Sequence, residues 1–238
     1  MSSRLFPERD LAILNERIVS CWLCPRLVAH REEVARTKRR AYREETYWGR
    51  PVAGFGDPRA ELLILGLAPA AHGANRTGRM FTGDRSGDFL YARLHEAGFA
   101  SQPTSRDRHD GLALRGAYIT ATARCAPPGN KPLPAEIANC RPYLEAELDL
   151  LRPRVVLALG KIAFDGFLAL LQSRGEIASR AGLIFRHGAS YELPGGRTRL
   201  FAVYHPSQQN TQTGRVTPAM YRRVLAAIRR LLAGQKPG

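Results

Sequence analysis

The chain has 238 residues, 44% hydrophobic and 24% charged, which suits one compact domain with a sizeable core. Its formal net charge is +15, and all but Lys38, Lys131, Lys161 and Lys236 of its 36 basic residues are arginine. That balance favours a polyanionic partner, and arginine's planar fork suits phosphate oxygens. No apolar run approaches the roughly 20 residues that a membrane span needs.

In chain order, Met1-Ser2-Ser3-Arg4 leads into charged residues rather than an apolar signal core. The expected compartment is therefore a reducing cytoplasm, where cysteines serve as ligands rather than disulfides. Leu11 to Val19 reads as a short helix running into Cys21-Trp22-Leu23-Cys24. Arg26 to Arg43 is helical in character and strongly basic. Gly54-Phe55-Gly56-Asp57-Pro58 reads as a turn, and Glu61 to Leu65 as a buried strand. This strand opens into the small-residue loop from Gly66 to Asp84, the usual place of a ligand site in an α/β protein.

A helix over Asp88 to Ala97 puts Phe89, Leu90, Leu94 and Ala97 on one face. Ala117 to Thr122 is a second strand, and Cys125 to Pro132, with three prolines and a glycine, is a loop. The helix predicted over Pro134 to Leu151 carries Ile137, Cys140, Leu144, Leu148 and Leu151 at helical spacing, with a bend expected at Pro142. Val155 to Leu159 is a third strand and Ile162 to Leu171 a helix. Further strands are expected at Leu183 to Arg186 and Leu200 to Tyr204. An amphipathic helix over Met220 to Leu232 closes the chain, and the tail from Gly234 is expected to fray. Strands alternating with helices predict a single α/β domain over residues 1–238. The fold expected is a three-layer α/β/α sandwich around a mostly parallel sheet of about four strands.

The only cysteines are Cys21, Cys24, Cys125 and Cys140. The C-x-x-C pair lets two thiolates chelate one centre. Four thiolates suit either a [4Fe–4S] cluster or a structural zinc ion. Zinc sites usually repeat the short spacing in both halves, and here the second pair is far apart with Pro127-Pro128 close after Cys125, which favours iron–sulfur. Such a centre would tie residues 1–50 to the core and act structurally.

These features together resemble the uracil-DNA glycosylase superfamily, and within it the iron–sulfur, thermophile-type branch called family 5, a relative of family 4. The resemblance covers Cys21 to about Asn210. It rests on four ordered pieces: Cys21-x-x-Cys24; Gly66-Leu67-Ala68-Pro69-Ala70 with Arg79-Met80-Phe81-Thr82-Gly83-Asp84; Cys125 through Cys140; and His205-Pro206-Ser207-Gln208-Gln209-Asn210. It implies an enzyme that flips a damaged base out of double-stranded DNA and cleaves its bond to deoxyribose. Gly66, Leu67 and Ala68 would line the base pocket, Phe81 would stack on the base, and His205 would contact the base carbonyl as negative charge builds there. Gln208, Gln209 and Asn210, on a polar flexible loop running to Arg215, would enter the duplex. Arg76, Arg79, Arg124 and Arg215 are candidate phosphate contacts by position. His72 fits a surface-loop role as well as a site role. A monomer acting at the nucleoid is expected.

Two departures shape the expected chemistry. The superfamily's first motif usually offers a polar group to the attacking water, at the position of Ala68 or, in family 4, of Leu67; both are apolar here, as in family 5. Asp84 is the remaining carboxylate able to position or deprotonate water, against an alternative role as a helix cap. Family 4 also carries a base-reading Asn at the position of Ala121; Asn130 on the nearby loop is the substitute amide. Without a dedicated polar reader, rejection of other bases weakens, so uracil and deaminated purines such as hypoxanthine are the expected substrates. Lys131 and Lys161 lie outside the pocket motifs, which points to monofunctional hydrolysis without a Schiff base. The rival reading is a non-catalytic nucleic-acid-binding module with a structural metal. A phosphate-binding nucleotide enzyme fits poorly, because Gly54-x-Gly56 precedes the strand and no Walker lysine follows.

Overall fold

The computed structural model describes residues 7–234. The Met1-Ser2-Ser3-Arg4 segment and the tail beyond Gly234 lie outside them. Two helices, α1 (Pro7–Val19) and α2 (Pro25–Thr37), precede the sheet. There follow β1 (Phe55–Gly56), β2 (Leu62–Gly66), the single turn α3 (Ala74–Thr77), α4 (Arg85–Glu96), β3 (Ala117–Ala121) and α5 (Pro134–Leu151). The chain closes with β4 (Val155–Leu159), α6 (Lys161–Ser173), β5 (Ser190–Glu192), β6 (Arg199–Val203), α7 (Gln208–Gln212) and α8 (Pro218–Gly234).

The sheet has six strands in the order β1-β3-β2-β4-β6-β5. The four inner strands are parallel, and the two short edges pair antiparallel. Strand alternation sorts the core into two layers. Leu62, Ile64, Leu157 and Phe201 face α4 and α8, meeting Leu90, Leu94, Val224 and Ile228. Leu63, Leu65, Val156 and Ala202 face α1, α5 and α6, meeting Ile18, Leu144, Phe164 and Phe167. Both faces of the parallel strands are covered, which makes the three-layer sandwich expected from the sequence.

Several boundaries differ from the expectation. The sheet has six strands rather than about four, because β1 and β5, of two and three residues, are too short to carry a period. The residues read as a turn supply β1, whose Phe55 pairs with Ile119. Leu183 to Arg186 is not a strand. Its apolar residues pack instead, Phe185 against Phe164 at 5.7 Å between ring centroids, while Tyr191 Oη bonds both the N–H and the carbonyl of Ile184. The basic helix stops at Thr37, because Lys38 adopts a left-handed φ of 53°. Helix α5 continues through Pro142, which is exposed and has no N–H to offer the preceding turn. No helix among the described residues is long and apolar enough to cross a membrane.

Candidate active site

Strand β2 delivers the chain to the C-terminal edge of the parallel strands, the usual ligand edge of an open α/β sheet. It ends at Gly66, where a Cβ would lie 2.9 Å from the Phe81 ring, so the missing side chain is what lets the aromatic close over the strand end. Phe81 itself takes φ 52°, a left-handed backbone that a bulky residue adopts only under constraint. The constraint is local. Tyr91 donates to the Met80 carbonyl at 2.8 Å, and Thr77 Oγ1 donates to the Thr82 carbonyl at 3.1 Å. Asp84 then caps α4, its Oδ1 accepting the Gly87 N–H at 2.9 Å, which starts the helix at Arg85 rather than near Asp88.

Strand β6 delivers the second half of the site. His205 follows Tyr204 beyond the strand end, and its carbonyl accepts from Asn210 Nδ2 at 2.8 Å. Ser207 caps α7 by accepting the Asn210 N–H. The stretch expected as a flexible loop from Gln208 to Arg215 is therefore helical over Gln208–Gln212, because Ser207 supplies the cap that starts it. Gln208 and Gln209 remain exposed on that turn.

These two halves enclose a cavity of ≈ 310 Å³ lined by Leu67, Ala68, Pro69, Phe81, Asp84, Asn130 and His205, with Ser86 and Ser207 at its polar edge. The structure thus brings together Phe81, Asp84, Asn130 and His205, with Gly66 just beneath. The Phe81 and His205 ring centroids are 5.9 Å apart with planes tilted by 36°. Burial pushes the His205 imidazole down to about 4, so it is neutral at pH 7. Burial raises the Asp84 carboxyl above its ordinary value, opposed by the backbone N–H groups of Gly87 and Ser86. Asp84 also borders a second, more open cavity of ≈ 500 Å³ shared with Arg85, Ser105 and Arg106, so it stands between the apolar pocket and one lined by charged side chains. Asn130 has an exposed side chain and a left-handed φ of 58° after Gly129. A larger cavity of ≈ 580 Å³ lies at the other edge of the sheet, by Pro153 and Thr198, where Arg174 pairs with Asp149 and Glu176.

Three of the arginines expected to meet phosphate are internal. Arg79 is 4% exposed and forms a two-point pair with Asp110 at 2.7 and 2.8 Å. Arg76 pairs with Glu45 and donates to the carbonyls of His72 and Gly83. Arg124 pairs with Glu147 at 2.6 Å, both wholly buried. Their charge is spent inside, since a buried cation requires an anion. Arg215 is exposed, with its guanidinium 4.8 Å from the centroid of the Tyr204 ring. Arg85 and Arg106, exposed beside Asp84, were not singled out from sequence; the adjacency of Arg85 to Asp84 was the available signal. His72 lies outside the pocket lining, with Nδ1 3.1 Å from Tyr47 Oη, and joins the N-terminal segment to the motif loop.

All four cysteines are free thiols. Cys21 and Cys24 sit between α1 and α2, partly buried; Cys125 follows β3, and Cys140 lies on α5, both buried. Burial pushes the Cys125 thiol up to about 11, with Arg31 pulling it down and Cys140 and Cys21 adding to the rise. Cys140 is also raised, by burial first and by Cys24 and Cys21 besides. The Cys125 sulfur thus lies within electrostatic reach of Cys140 and Cys21, and the Cys140 sulfur of Cys24 and Cys21, though no three His, Cys, Asp or Glu among the described residues close on a single ion. Arg31, 1% exposed, donates to Cys125 Sγ at 3.1 Å, and Asn139 Nδ2 to Cys24 Sγ at 3.4 Å. A buried guanidinium aimed at one sulfur and an exposed amide at another fit thiolates bound to a cationic centre.

The profile of the Uracil DNA glycosylase superfamily matches residues 53–229. A type-5 uracil-DNA glycosylase of Thermus thermophilus is 55% identical over 223 residues, covering 93% of this chain and 98% of its own. One from Mycobacterium bovis is 56% identical over 209 residues, 87% of this chain and 76% of its own. One from Pyrobaculum aerophilum is 45% identical over 201 residues, 84% of each chain.

Proposed function

The chain belongs to the uracil DNA glycosylase superfamily, and from that membership we propose that it is a monofunctional hydrolase that removes uracil from double-stranded DNA during base excision repair. The observation that carries the proposal is the meeting of Phe81, Asp84, Asn130 and a neutral His205 around one pocket at the C-terminal edge of the sheet. The pocket is small and mostly apolar, which suits a single flipped base rather than a nucleotide with its phosphates.

In the proposed reaction the base enters over Ala68 and stacks on Phe81. Water attacks C1′ of the deoxyribose, and the C1′–N bond breaks with its electron pair going to the base. The water proton passes to the Asp84 carboxylate, whose raised pKa makes it a better base than an ordinary surface aspartate. The His205 N–H donates to the base oxygen on which charge develops. A neutral donor costs no deprotonation and gains strength as that charge grows. Asn130 offers an amide to the base edge. The side chains of Leu67 and Ala68 cannot hydrogen-bond, so base identity is weakly read and hypoxanthine is a second substrate. The enzyme acts as a monomer in the cytoplasm at the nucleoid.

Cys21, Cys24, Cys125 and Cys140 would hold a [4Fe–4S] cluster, with zinc as the alternative. When bound, that group supplies a structural cross-link between the N-terminal helices and α5. The fit rests on the donor set of four cysteines, on the buried guanidinium of Arg31 at Cys125 and on the Asn139 amide at Cys24.

The test is base release from a duplex carrying one uracil, under single-turnover conditions, with wild type and Asp84→Ala, and a second duplex carrying hypoxanthine. Alkali-dependent scission by wild type alone on the uracil duplex is expected. Scission by both would keep the enzyme and remove Asp84 from its role. DNA binding without scission of either duplex would favour the binding-module reading.

A further inference from the structure

We propose that Arg31 is the internal counter-cation of the cysteine-held centre: its buried guanidinium donates to the Cys125 sulfur and supplies positive charge beside an assembly of thiolate ligands inside the protein. This rests on the reading of the four cysteines given above.

Four arginines are buried among the described residues: Arg31, Arg76, Arg79 and Arg124. Three have a carboxylate, in Glu45, Asp110 and Glu147. Arg31 alone has none. Its NH1 donates to Cys125 Sγ at 3.1 Å and to the Cys21 carbonyl at 3.2 Å, and its Nε is buried without a partner. A lone cation withdrawn from water is costly unless an anion faces it. The side chain its guanidinium donates to is Cys125, one of the four sulfurs of the proposed centre.

The local build supports the same assignment. Arg31 follows Cys24 by seven residues on α2, two turns on, so its side chain returns to the face beside the C-x-x-C loop. The Trp22 ring lies 4.9 Å from its guanidinium carbon and covers it from solvent. Asn75 Nδ2 donates to the Arg31 carbonyl at 3.2 Å, which fixes α2 to the loop that builds the base pocket. Arg31 is a positioning residue. It touches neither base nor water.

The experiment compares purified wild type with Arg31→Lys, Arg31→Gln and Arg31→Met, reading iron and sulfide per chain, iron loss to a chelator and the midpoint potential in a redox titration. Gln and Met should release iron roughly 10- to 100-fold faster, the range seen when outer partners of a metal site are removed. Their potential should move to more negative values, because a lost cation disfavours the more electron-rich state. Lys keeps the charge and should keep the wild-type potential. If the centre is zinc, the chelator rates carry the same ranking. Wild-type potential and retention in Gln would overturn the proposal. So would a Lys variant as impaired as Met, since shape rather than charge would then be at work. Gln is close to Arg in polarity and covers the case in which Met does not fold. A wild type without any metal overturns the cysteine reading itself, and this one with it.

Discussion

Asp84 Oδ1 accepts the Gly87 N–H at 2.9 Å, so the residue proposed as the water activator is also the N-cap of α4. The two roles separate by substitution. Asparagine caps a helix about as well as aspartate but cannot take a proton. Asp84→Asn should therefore melt close to wild type, while Asp84→Ala should lose about 1 kcal/mol of stability with the cap. Both should lose base release by roughly 10²–10⁴-fold. A second signature is the acid limb. Because the Asp84 pKa is raised, the wild-type rate should fall with pH at values above the ordinary carboxylate range, and the residual rate of Asp84→Asn should show no such fall. Thermal melts and single-turnover rates measured together would expose a purely structural Asp84, which would tie activity to stability in both variants.

His205 is held neutral by burial, with a folded-state value of about 4 against roughly 6.5 in an unfolded chain. The unfolded chain thus binds the extra proton first. The stability this contributes is complete above about pH 6.5 and is lost as the pH falls from there to about 4. Denaturant unfolding of wild type and His205→Gln across that window should show the wild type losing its excess stability. At neutral pH the same substitution should cost roughly 10²–10³-fold in the chemical step, the scale of one lost donor to a developing anion. An unchanged rate would remove His205 from the reaction.

Phe81 offers a face on which any base stacks. Phe81→Ala should weaken damaged-duplex binding by about 1–3 kcal/mol, while Phe81→Tyr retains most of it. Stacking carries no hydrogen-bond readout, so the ratio of uracil to hypoxanthine rates should stay within a few-fold in both variants. A ratio moved by an order of magnitude would show that Phe81 shapes base identity as well.

How much of this was legible in the sequence depended on the range of the interaction. Leu62 to Leu65, Val155 to Leu159 and the Pro134–Leu151 helix were read closely, because burial on both faces or a helical period repeats over enough residues to be seen. Edge strands of two or three residues leave no period, and Ser190–Glu192 passed unseen beside the more apolar Leu183 to Arg186. The pocket residues were legible as short motifs, since Gly66, Phe81, Asp84 and His205 each sit at or just beyond a strand end or helix start. What the sequence hides is which arginine has a partner. Arg79, Arg124 and Arg215 look alike in the chain, but Asp110 lies 31 residues from Arg79 and Glu147 lies 23 residues from Arg124. Only the fold reveals those pairs.

That difference is itself measurable. Arg79→Ala strands the Asp110 carboxylate, which Arg79 and the N–H groups of Leu112 and Arg106 hold low against the opposing effect of burial. Losing one partner of such a pair costs about 3–5 kcal/mol. The variant should melt well below wild type, yet the slope of its DNA affinity with salt should not change, because Arg79 reaches no phosphate. Arg215→Ala should do the opposite. Its guanidinium is exposed over the Tyr204 ring next to α7. Removing it should leave the melt nearly unchanged, weaken duplex binding across sequences, and reduce the salt slope by about 1, the signature of one lost phosphate contact. Salt titrations of binding on both variants distinguish the two cases. A lowered slope in Arg79→Ala with a wild-type melt would mean that the Asp110 pair opens when DNA binds.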